Sequence, residues 1–122
     1  MAKQEVHSTH LTYDDYLQFP DDGKRHEIIE GDHYTTPAPR TKHQAISLVL
    51  ASAMRSVAKQ NRAGLVFIAP CDVILSDENV VQPDVLLVST ARASIVTEDN
   101  IQGSPDLIVE IPAFDVPATG VV

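Results

Sequence analysis

Two nearly unbroken apolar runs constrain this chain most: Asp84-Val85-Leu86-Leu87-Val88 and Leu107-Ile108-Val109-Glu110-Ile111. A strand with one wet face alternates polar and apolar residues, whereas a continuous apolar run fits a strand covered on both faces. Each run also carries an acid. Asp84 opens the first, directly after Pro83, and Glu110 stands between Val109 and Ile111. An ionised carboxylate among apolar neighbours is costly unless it is paired or binds a metal. Two such groups on adjacent strands repel each other, and a divalent cation between them removes that cost. Hard ions such as Mg²⁺ favour all-oxygen sites of this kind. The plainer alternatives are a strand-edge acid at Asp84 and a solvated strand-end glutamate at Glu110.

The remaining elements follow from pattern. Leu11 to Leu17 reads as a short helix, with Thr12 as N-cap, Asp15 three residues on, and the breaker Pro20-Asp21-Asp22-Gly23 behind it. Residues 25–34 read as two short strands around a turn. Thr41 and Gln44 match a capping box. The helix after them, about His43 to Gln60, repeats Ile46, Val49, Leu50, Ala53, Val57 and Ala58 at helical spacing. Leu65–Ala69 and Asp72–Leu75 add strands, and residues 89–105 hold a short helix and a turn. The order predicts an α/β sandwich with a mixed sheet at its centre. Residues 1–10 read as a flexible N-terminus, 11–111 as the domain and 112–122 as an irregular tail.

Composition narrows the function. The single cysteine, Cys71, rules out an intrachain disulfide and reads as a small buried filler. The first residues lack an apolar run, and no stretch approaches the roughly 18 apolar residues that span a bilayer. A cytoplasmic protein without membrane partners is the expectation. The formal net charge of −8 is unevenly placed: residues 1–62 balance eight cations against eight acids, but residues 63–122 hold only Arg92 against nine acids. A simple DNA-binding module shows a basic footprint, so this balance speaks against one. An acidic cleft neutralised by divalent cations fits it better.

Other polar residues have two readings each. Glu27 is a third carboxylate for a metal or a solvated strand residue. His43 and Gln44 sit in the first turn of the long helix, where spare N–H groups favour anions such as phosphate, although Gln44 serves equally as a cap. His26 and His33 match no compact zinc spacing and read as surface histidines. Asp106 reads as a turn acid.

Several segments occur together in a recognisable order: Leu11-Thr12-Tyr13-Asp14-Asp15-Tyr16-Leu17, Arg25-His26-Glu27-Ile28-Ile29-Glu30-Gly31, Pro37-Ala38-Pro39, His43-Gln44, Val80-Val81-Gln82-Pro83-Asp84-Val85 and Gly103 through Ile111. On these the chain resembles the Uma-type restriction-endonuclease-like family over residues 10–111. The resemblance implies the PD-(D/E)xK fold, a central mixed sheet flanked by helices, and Mg²⁺- or Mn²⁺-dependent hydrolysis of DNA phosphodiesters. It implies Asp84 and Glu110 as metal ligands, Glu27 as a supporting acid, and His43 and Gln44 close to the reacting groups.

The resemblance also departs from the pattern. The superfamily signature has a lysine two residues after the glutamate, where this chain has Pro112. The basic helix expected next is replaced by a proline-containing segment without cations, which suggests a truncated or frameshifted C-terminal part. The expectations are therefore weak or absent nuclease activity, a site lacking its cation, and a homodimer or higher oligomer covering an exposed sheet. The alternative is a non-catalytic interaction protein that retains the scaffold.

Overall fold

In the computed structural model, residues 4–6 and 10–112 are described. The tail beyond Pro112 lies outside them. The first element after the short strand β1 (Gln4–Val6) is α1 (Tyr13–Tyr16), entered as the sequence predicts. The Asp15 carboxylate accepts the Thr12 backbone N–H at 2.9 Å, which satisfies a donor left orphaned at the helix start. β2 (Arg25–Ile29) and β3 (Asp32–Thr36) form the expected hairpin. Its two turn residues, Glu30 and Gly31, both have positive φ, the backbone that a tight two-residue hairpin requires. The Asn79 side chain accepts the Glu30 N–H and holds this conformation.

α2 (Thr41–Asn61) starts earlier than expected, and Thr41 is not its cap. Arg40 takes that position in extended backbone, its carbonyl accepting the Gln44 N–H at 3.0 Å, so the anticipated Thr41–Gln44 box does not form. β4 (Gly64–Ile68), β5 (Val73–Ser76), β6 (Asn79–Val81), β7 (Val85–Ser89), a 3₁₀ segment (Thr90–Ile95) and β8 (Leu107–Val109) follow. Neither β1 nor β6 is foreseen by polarity pattern, since each is only three residues long.

The α/β class stands, with a refinement. The described residues form two sheets, of order β1-β3-β2-β6-β5 and β4-β7-β8, and every strand pairing among them is antiparallel. The parallel element is confined to the isolated bridge Val73–Ile101. One core cluster joins the sheets through Val73 of β5, Leu86 and Val88 of β7, and Ile101. A second packs Tyr16 of α1 on Ile28 and Val80. α2 lies against β4.

β7 meets the expectation of a strand covered on both faces: Val85, Leu86 and Val88 are fully buried. β8 does not. Leu107 is 48% exposed and its neighbour Ile108 40%, although consecutive residues point to opposite faces. The reason is position, because β8 is the last strand of its sheet, with β7 its one strand neighbour among the described residues.

Candidate active site

Antiparallel pairing of β7 with both β4 and β8 brings Asp84, just ahead of β7, level with Glu110, just past β8; the register runs Val85↔Val109. The expected meeting of these acids therefore follows from strand register alone. Asp84 is 4% exposed. Its Oδ2 accepts the Ile111 backbone N–H at 2.7 Å. Its Oδ1 lies 3.2 Å from Arg25 Nη1 and 3.2 Å from His43 Nε2. The same Arg25 nitrogen lies 3.8 Å from Glu110 Oε2. Both carboxylates thus face one positive centre. Glu110 is half exposed, so the cost of burial inferred from its apolar neighbours does not apply to it.

That positive centre is a cation which the sequence reading missed. Pro112 carries no charge, yet the site is not without a cation, because β2 delivers one. Residues two apart on a strand share a face, so Arg25 and Glu27 point the same way and clasp one residue of the next segment. Arg25 Nη1 donates to the Gln82 carbonyl at 2.8 Å, and Glu27 Oε2 accepts the Gln82 N–H at 2.8 Å. The signal was present in the spacing Arg25-His26-Glu27.

The predicted residues are not all gathered. Asp84, Glu110, His43 and Gln44 line one cleft of about 950 Å³. Glu27 is fully buried and does not line it. Its neighbourhood is the polar network beneath α1, where Gln82 also binds Tyr16 and Asp72. Burial, reinforced by the hydrogen bond to Asp72, pushes the Tyr16 hydroxyl well above its ordinary range, so it stays protonated. Lys24, Arg40 and Lys42 also line the cleft, with Asp21 beside them, so cations gather there that the overall charge conceals.

The histidines expected at the surface sit differently. His26 is buried, with Nε2 2.8 Å from Asp22 and Nδ1 2.9 Å from His33 Nε2. Asp106 behaves as a turn acid: it accepts the Ser89 N–H, and that bond holds its carboxyl below the usual range. Cys71 packs against the core, and burial raises its thiol, as suits a filler.

A family model described as "Uma2: Putative restriction endonuclease" matches residues 13–113. The chain belongs to the Uma2 family. Among solved structures, this Uma2 chain is similar to the one described as "a putative nuclease belonging to DUF820" from Anabaena variabilis ATCC 29413, with a TM-score of 0.68 and 26% sequence identity. The match covers 84% of this chain and 59% of the neighbour's. No curated protein matches it. The Uma2 assignment carries the restriction-endonuclease-like α/β fold with it.

A divalent metal is implied by that fold family. Among the described residues no group of three or more His, Cys, Asp or Glu is arranged to hold an ion. Zinc, which takes three or four protein ligands, is a poor fit. Mg²⁺ fits better, because it commonly takes one or two carboxylates and completes its shell with water and substrate phosphate. Asp84 and Glu110 would supply that pair of oxygen donors, since both lie within ion-pair distance of the Arg25 guanidinium.

Proposed function

We propose that this Uma2 chain is a metal-dependent nuclease that hydrolyses DNA phosphodiester bonds in the Asp84–Glu110 cleft. The observation that carries the reading is the convergence of two carboxylates on one positive centre, in a cleft that Lys24, Arg40 and Lys42 also line. Asp84 and Glu110 hold Mg²⁺ or Mn²⁺. When bound, such an ion polarises the phosphate and lowers the pKa of a coordinated water. His43 keeps Asp84 oriented through its 3.2 Å contact. Lys24, Arg40 and Lys42, with Gln44 and the positive N-terminal end of α2, receive the phosphate backbone. Glu27 supports the site from behind by fixing Gln82, two residues before Asp84.

Turnover is proposed to be weak. Asp84 already receives Arg25, His43 and the Ile111 N–H, so an ion competes for oxygens that the protein has engaged. The same observation favours a second reading, a non-catalytic scaffold, whose exposed apolar residues such as Leu107 and Ile108 would serve association with further copies. Titrating the purified chain with Mn²⁺ by calorimetry, with plasmid nicking in parallel, separates the two. The nuclease reading expects saturable Mn²⁺ binding and slow nicking, both lost in Asp84→Ala. Absence of binding in the unaltered chain leaves the scaffold reading.

A further inference from the structure

Arg25 combines features that a purely structural arginine does not need. Its Nη1 reaches the carboxylates of both proposed ion ligands, Asp84 at 3.2 Å and Glu110 at 3.8 Å. The same nitrogen donates to the Gln82 carbonyl at 2.8 Å, an anchor independent of either acid. The side chain is largely buried, and its Nε has no hydrogen-bond partner among the described residues. A buried donor without a partner is costly, which marks a guanidinium whose donors are not all committed in this arrangement.

We propose that Arg25 is the built-in counter-cation of the site: it holds the Asp84–Glu110 pair together in the absence of an ion, and a divalent cation binds only as Arg25 gives up its contacts with the two acids. This deepens the nuclease reading and rests on its assignment of the ion ligands. Two carboxylates brought together by strand register repel, and the guanidinium offsets that repulsion. An incoming cation meets both competition for the same oxygens and repulsion from the resident charge. The Gln82 carbonyl lets Arg25 release the acids without leaving the cleft wall. Its positive charge then faces whatever anion the cleft receives.

The test is Mn²⁺ calorimetry on the full chain and on Arg25→Gln and Arg25→Lys. Removing the competing charge should tighten Mn²⁺ binding about tenfold in Arg25→Gln, within the ordinary range of coupling between two sites. Arg25→Lys, which keeps a charge but loses the planar fork, should fall between the two. Equal or weaker binding in Arg25→Gln overturns the counter-cation role and leaves the metal reading standing. No binding by any of the three chains overturns the metal reading and this role with it. If Arg25→Gln does not fold, a measurement on the unaltered chain decides: the Arg25 Nε–H resonance should move during a Mg²⁺ titration. A resonance that stays fixed while Mg²⁺ binds overturns the proposal.

Discussion

A histidine ring stacked 4.0 Å from Phe19 and bonded to a second histidine has little room for a proton. His33 is in that position. Burial, and then the charge on His26, hold its pKa below the ordinary 6.5. The unfolded chain therefore binds this proton more readily than the folded one. The corresponding stability is fully present above pH 6.5 and drains away as pH falls through the lower folded value. Urea unfolding between pH 7.5 and 5 should show stability falling with pH, and His33→Gln should flatten the slope. An unchanged slope in that variant would assign the pH dependence to other groups. Asp22 works in the opposite register: its bond to His26 holds its carboxyl below the usual range, so it stays charged throughout this window. The contacts that bury these rings come from Phe19, Asp22, His26 and His33 meeting in space. No spacing rule announces that meeting, which is why both rings read as surface groups in the sequence.

Among the elements, legibility followed how local the cause was. α1 with Thr12 and Asp15 and the turn between β2 and β3 rest on short-range rules, and both are present. The meeting of Asp84 with Glu110 is long-range and is legible only because two apolar runs each carry an acid. The exposure of β8 rests on which strand lies beside it, and apolar content cannot report that. Gly64 is another case. It reads as an unremarkable residue before a strand, yet a Cβ there would lie 2.1 Å from the Val88 carbonyl oxygen and 2.9 Å from Ser89 Cα. Those are backbone atoms of β7 and cannot swing aside. Gly64→Ala should cost about 3 kcal/mol or more by forcing β4 off β7. Gly23 also has positive φ, but nothing lies within 4 Å of its added Cβ, so Gly23→Ala should cost only about 1 kcal/mol from backbone strain. Guanidinium chloride unfolding of the two variants compares them directly. Equal losses would mean that the close approach of β4 to β7 is not what requires glycine at 64.

At the scale of the molecule, the cleft draws residues from β2, the first turn of α2, the approach to β7 and the exit from β8, so no single segment reveals it. Net charge does not report local placement for the same reason: an acidic chain sets Lys24, Arg40 and Lys42 around one opening that Asp21, Asp84 and Glu110 also line. Self-association belongs to this scale too. No helix of the described residues is long and apolar enough to cross a membrane, and those residues carry exposed apolar surface. That surface includes Leu107 and Ile108 on the edge strand β8, and Leu48, Val49 and Val57 on α2. An edge strand offers unpaired backbone groups to another strand, and charged residues usually guard against this. Among the described residues the outermost strand of this sheet is Leu-Ile-Val. A second copy pairing β8 with β8 about a two-fold axis would satisfy the backbone groups and give Leu107 and Ile108 each an apolar cross-strand neighbour. Light scattering should give a dimer or larger species at micromolar concentration. Leu107→Lys should shift it toward monomer while leaving Mn²⁺ affinity within about twofold, since Leu107 does not line the cleft. A chain that is already monomeric would rule out the two-fold pairing, and a dimer indifferent to Leu107→Lys would move the interface to the α2 face.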